Sequence, residues 1–167
     1  MDIFLGSREA LGVEVKITER NEKGTPLGYG RIWLGGHFIG TMEELIYLDS
    51  YLLGGLYQLM QAEEMKDAGF PALKEDQYQW FVAKGQDTNE NSYDGYLVNF
   101  GTFMDRFERW AYRQGEGVTL LWKIDTRKNQ YMPEDLLDYP REVFRFTAKQ
   151  EEFKELARRL ERILKDW

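Results

Sequence analysis

Phe107-Glu108-Arg109-Trp110-Ala111-Tyr112-Arg113-Gln114, a Gly115-Glu116-Gly117 turn, and Val118-Thr119-Leu120-Leu121-Trp122-Lys123-Ile124 form the stretch that decides the fold class. Val118, Leu120, Trp122 and Ile124 alternate with Thr119, Leu121 and Lys123 beyond the glycines, which predicts a β-hairpin with one face on a core. Upstream, Val13, Val15 and Ile17 alternate with polar residues as a half-buried strand does. A turn-rich connector over 21–28 then leads to a returning strand from Tyr29 to Leu34. Gly35-Gly36 makes a tight turn before a short third strand, His37-Phe38-Ile39. Together these predict an antiparallel meander, with Tyr96–Phe100 and Val143–Phe146 as further strands.

Two helices are expected. The first draws on Leu48, Leu52, Leu53, Leu56, Leu59 and Met60, with Gly54-Gly55 in its path. A glycine costs about 1 kcal/mol in a helix interior. Either the helix begins after the pair or something packs closely on it. The favoured pattern is an irregular first part and a regular helix from about Gly55 to Lys66, closed by Asp67-Ala68-Gly69. The second helix follows Thr147-Ala148-Lys149-Gln150, which matches a capping box. It carries its apolar stripe at Phe153, Leu156, Ala157, Leu160, Ile163, Leu164 and Trp167. The expected class is α+β. A mainly antiparallel sheet of about six or seven strands carries one central and one C-terminal helix, in a single domain over residues 1–167. Residues 67–94 are the least regular, and Tyr78-Gln79-Trp80-Phe81-Val82 within them reads as a strand or an aromatic anchor.

Charge is distributed unevenly. Residues 43–94 hold eleven carboxylates against Lys66, Lys74 and Lys84, so this stretch accounts for the whole net charge of −7. Such a field attracts cationic proteins and repels nucleic acid and anionic membranes. Aromatic residues lie among these acids, and aromatics anchor interfaces while acidic neighbours steer a basic partner. The candidate partner-binding set is Glu63, Glu64, Asp67, Glu75, Asp76, Tyr78, Trp80, Asp87, Glu90, Tyr93 and Asp94.

Catalytic and metal signatures are sparse. The sequence has no cysteine, which removes disulfides and thiol nucleophiles and fits a reducing cytoplasm. Met1–Gly6 lacks the pattern of a signal peptide, and no apolar run reaches the roughly 18 residues of a membrane span. His37 is the single histidine. Acid–base work there would need a partner group, so it reads as structural. Zinc would have to be held mostly by carboxylates. Asp87-Thr88-Asn89-Glu90-Asn91 has calcium-loop spacing, but Ser92 and Val98 stand where the glycine and glutamate belong. No cofactor is expected. The doublets Glu43-Glu44 and Glu63-Glu64 read as solvated charge. Arg106, Arg109 and Arg113, interleaved with Phe107, Trp110 and Tyr112, could stack and bind single-stranded nucleic acid. Neighbouring acids and a pI near 4.9 favour aromatics packing under the C-terminal helix instead.

Gly30-Arg31-Ile32-Trp33-Leu34-Gly35-Gly36-His37-Phe38-Ile39-Gly40, followed by a leucine-rich helix, resembles the N-terminal half of small bacterial immunity proteins. Phe103-Met104-Asp105-Arg106-Phe107-Glu108-Arg109-Trp110-Ala111-Tyr112-Arg113, followed by Val118–Ile124, is similar to their second half. These accompany toxins of contact-dependent inhibition and other polymorphic toxin systems. The resemblance implies a cytoplasmic, non-enzymatic protein that binds and neutralises one cognate toxin domain, and many such toxins are basic nucleases. Two alternatives stay open at this point. One is a small-ligand or regulatory domain with a pocket between sheet and C-terminal helix, lined by Trp110 and Trp122. The other is an enzyme built around His37. No feature sets an oligomeric state.

Overall fold

The computed structural model describes residues 1–86, 95–126 and 131–167. Strands β1 (Asp2–Gly6), β2 (Leu11–Arg20), β3 (Pro26–Leu34) and β4 (His37–Ile39) form an antiparallel meander. The short β5 (Ile46–Tyr47) also pairs with β3. Val13 faces Ile32 and Val15 faces Gly30 across β2 and β3, so these side chains share one face. Val13, Val15, Ile17, Ile32 and Leu34 are all buried there.

The glycines of β3 let a helix press on that face. A Cβ on Gly30 would sit 2.6 Å from the Leu52 side chain. Leu48–Leu53 is a π-helical stretch that runs into α1 (Gly54–Met60). Both expectations about Gly54-Gly55 hold in part. The lead-in is irregular, and Phe100 packs so closely on Gly55 that a Cβ would lie 1.7 Å from its ring. The helix does not reach Lys66. It stops at Met60, because residues 63–65 pair with Arg113: the Arg113 N–H donates to the Glu63 carbonyl and the Met65 N–H to the Arg113 carbonyl, both at 2.8 Å.

A second sheet comprises β6 (Phe107–Gln114), β7 (Gly117–Ile124) and β8 (Phe144–Lys149), in that order. The expected single sheet is thus two, with eight strands among the described residues; the α+β class is as expected. The β6–β7 loop is two residues long, since Gln114 pairs directly with Gly117. Gly115 adopts φ +59° at the first loop position, where a II′ turn places glycine. Tyr96–Phe100 alternates in burial but joins the sheet only through one bridge, Leu97 to Trp110, so it is not the strand expected.

Helix α2 (Lys74–Gly85) lies on the outer face of this second sheet. Tyr78–Val82 is therefore helical, neither strand nor loop. Gln77, Tyr78 and Phe81 supply its buried side at helical spacing. Helix α3 (Gln150–Asp166) carries the expected stripe through Phe153, Leu156, Ala157, Leu160 and Leu164, buried against the main core, but Trp167 caps the helix and is exposed rather than part of it. Its start differs from the expected capping box. The backbone N–H of Lys149 donates to the Glu152 carboxylate at 2.8 Å, while Thr147 remains in β8 with its hydroxyl 2.7 Å from that of Thr119.

β7 is buried on both sides. Val118, Leu120, Trp122 and Ile124 belong to the main core, which the first sheet, α1 and α3 also fill. Leu121 belongs to a separate aromatic cluster with Tyr78, Phe81, Tyr96, Trp110 and Tyr112. Phe81 and Trp110 stack there nearly parallel, with centroids 5.3 Å apart.

Candidate partner-binding surface

The acids of the central segment are carried across the second sheet by the chain that wraps it. The segment starts at the β6 edge, where residues 63–65 bond to Arg113. Phe70 then packs on Tyr112 with centroids 4.9 Å apart. At the β8 side the Ala72 carbonyl accepts from the Arg145 guanidinium at 2.7 Å. α2 follows over the sheet. Glu63, Glu64, Asp67, Glu75 and Asp76 are all exposed along this path.

Several of these acids also have internal tasks. The Glu64 carboxylate stands 3.7 Å from the Arg113 guanidinium, and Asp67 accepts the Gly69 N–H at 2.8 Å. Glu75 and Asp76 occupy the first turn of α2, where negative charge complements the helix dipole.

The expected aromatic anchors fare differently. Tyr78 is not a surface anchor: it is 8% exposed, and its hydroxyl donates to Glu108 at 2.9 Å. Trp80 is half-buried, edge-on to Phe70 and Phe81, with the Lys84 ammonium 5.6 Å from its ring centroid. Asp87, Glu90, Tyr93 and Asp94 lie outside the described residues, as does the calcium-like run Asp87–Asn91.

A second acidic feature escaped the sequence reading. Glu43, Glu44 and Asp105 line a cleft of about 450 Å³, together with Arg106 and Tyr131. Tyr131 is 77% exposed, a tyrosine standing in solvent beside carboxylates. The Glu43 carboxylate accepts the Glu134 N–H, and Glu44 accepts the Thr102 hydroxyl. Glu43-Glu44 is visible in sequence only as a charged doublet. Its meeting with Asp105 and Tyr131 depends on contacts about 60 to 90 residues away along the chain.

The alternative sites do not assemble as expected. Trp110 and Trp122 point to opposite faces of the second sheet, Trp110 under α2 and Trp122 into the main core, so no one pocket has both in its wall. The aromatics of β6 do not pack under the C-terminal helix as a group. Arg109 donates to the carbonyls of Met104 and Phe107, and Arg113 to that of Gly115, so these arginines serve the local backbone. The His37 ring lies 4.2 Å from that of Phe144, and among the described residues no hydrogen bond joins it. Among the described residues no three histidine, aspartate or glutamate side chains come together as metal ligands, and no helix is long and apolar enough to cross a membrane.

No family model matches the sequence, and neither does any curated protein. Among solved structures, CdiI from Burkholderia dolosa matches with a TM-score of 0.63 over 95% of this chain and 97% of its own. The two chains share a fold. They are 14% identical, so the CdiI likeness is one of architecture. The resemblance read from Gly30–Gly40 and Phe103–Arg113 has its counterpart in this CdiI fold, which extends over nearly all of both chains.

Proposed function

We propose that this chain is an immunity protein, which binds a cognate toxin domain in the cytoplasm and neutralises it without catalysis. The correspondence with CdiI along almost the full length of both chains is the observation that carries this reading. The toxin is a basic domain, of the kind that acts on nucleic acid. The docking surface is the acidic layer of Glu63, Glu64, Asp67, Glu75 and Asp76 with Trp80 at its edge. A dense negative field speeds encounter with a cationic domain and repels nucleic acid.

The test is co-purification with the toxin domain encoded beside this gene, joined to rescue of growth when both are expressed. Stoichiometric, salt-sensitive capture with rescue is expected. Failure of both would refute the immunity reading. The surface is mapped with two triple or double variants, E63K/E75K/D76K and E44K/D105K. The first set should weaken binding by about 2–5 kcal/mol where the charges are desolvated on docking. An effect confined to the second set would move the interface to the Glu43–Tyr131 cleft.

A further inference from the structure

The outer face of the second sheet changes character along its length. Strand register places Trp110, Leu121 and Arg145 in one row, and Tyr112, Thr119 and Thr147 in the next. The third row begins with Gln114 and Gly117. The first row lies beneath the aromatic residues of α2. The second is a line of three hydroxyls from three adjacent strands. In the third, Gly117 contributes no side chain and the floor drops. Phe70, Pro71 and Ala72 wall the depression, and its volume is about 450 Å³.

Three of the polar groups here are deeply placed, while Arg145 and Thr147 are exposed at the mouth. Tyr112, Thr119 and Gln77 are 2%, 4% and 4% exposed. Their hydrogen bonds join them into one network. Tyr112 donates to the Gln77 side-chain oxygen at 2.9 Å, and the Gln77 amide donates to the Pro71 carbonyl at 2.9 Å. Thr119 and Thr147 share one hydrogen bond, and the Tyr112 hydroxyl is a second partner within reach of Thr119. Arg145 gives one of its five N–H groups to the Ala72 carbonyl and also interacts with the Tyr112 hydroxyl, which leaves further N–H groups available. No carboxylate lines the pocket. Among the described residues none lies within ion-pair distance of Arg145, in a chain with 29 acidic side chains. A guanidinium kept apart from so many acids, beside hydroxyl and amide donors, matches the chemistry that recognises an oxyanion.

We propose that this pocket binds a small oxyanion-bearing ligand, held by Arg145 and the Thr119–Thr147 hydroxyl pair over the Gly117 floor. The site is independent of the toxin reading and is walled by Phe70, Pro71 and Ala72. A phosphate and a carboxylate present the same acceptor oxygens, and the assay separates them.

The experiment is an NMR titration of the full-length protein with inorganic phosphate and, separately, with acetate. Ionic strength is held constant and chloride is the reference anion. Saturable shifts at the Arg145 Nε–H, the Gln77 side-chain amide and the Gly117 N–H are expected from at least one of the two. Binding should weaken by about tenfold or more in R145Q, through loss of a charge-assisted contact. The exposed Thr147→Val variant should also weaken it, with no change in the melting curve greater than that of R145Q. Responses to both oxyanions equal to that of chloride, or affinity unaltered in both variants, would overturn the proposal.

Discussion

The Trp122 indole N–H donates to the Tyr139 hydroxyl at 2.9 Å, and that hydroxyl gives its own proton to the Phe38 carbonyl at 2.6 Å. Trp122 is on β7 and Phe38 on β4, so one phenol ties the two sheets together at a buried point. Tyr139→Phe would leave a buried N–H and a partly buried carbonyl without this partner. The expected cost is about 1–3 kcal/mol in urea unfolding, with the slope against denaturant unchanged. A loss near zero would mean that water replaces the hydroxyl.

Burial pushes the Tyr139 phenol well above its ordinary pKa, and the hydrogen bond from Trp122 offsets this only in part. Tyr112 moves the same way for the same first reason, against the pull of Thr119, Gln77 and Arg145. A phenol that titrates higher folded than unfolded holds its proton more tightly in the native state. Its contribution is therefore complete below about pH 10 and declines as pH rises through the folded value. Stability should fall from about pH 10 upward, at up to about 1.4 kcal/mol per pH unit for each such group. Tyr139→Phe should flatten that fall, and unfolding midpoints between pH 8 and 11 would show it.

Gly55 is required by contact with a ring, in a helix that would otherwise favour alanine. Gly55→Ala would place a Cβ 1.7 Å from Phe100 and should destabilise by about 1–3 kcal/mol despite the better helix propensity. Phe100→Leu in the same chain should recover part of that loss. A double-mutant cycle measures the coupling, and strict additivity would argue against the contact.

The aromatic cluster under α2 is organised around Phe81, which meets Phe70, Trp80, Tyr96, Trp110 and Tyr112. Phe81→Ala should cost about 3–5 kcal/mol if that layer unfolds together with the main core. A smaller loss, with hydrogen-exchange protection falling in 74–85 but not in 150–166, would show that the layer opens by itself.

Where a single face meets a core, the sequence is a good guide. Val13, Val15 and Ile17 read correctly because β2 buries them together, and the α3 stripe from Phe153 to Leu164 reads correctly for the same reason, though Trp167 falls past the helix and is exposed. Elsewhere the pattern loses its meaning. Leu121 looked like part of a polar face but is buried, because β7 has a core on each side. The two tryptophans show how much depends on one residue of register. Treating Gly115-Glu116-Gly117 as a three-residue loop would set Trp110 opposite Trp122 on one face. The observed two-residue loop pairs Arg109 with Trp122 and turns Trp110 the other way. Tyr78–Val82 is a short apolar run without a helical period to announce it, and its burial comes from rings on β6. The acidic run itself was legible. Its neighbour at Glu43, Glu44, Asp105 and Tyr131 was not, because long-range contacts create it.

A strand with two dry faces divides the labour of sequence change. Residues that meet Leu121 from α2 can alter in volume while Leu120 and Trp122 continue to hold the helices and the first sheet. The wrapping layer can therefore drift quickly, exchanging charges and rings as a binding partner changes, while the framework beneath it stays put. Divergence should thus be concentrated in residues 63–86 and sparse along the inward side of β7.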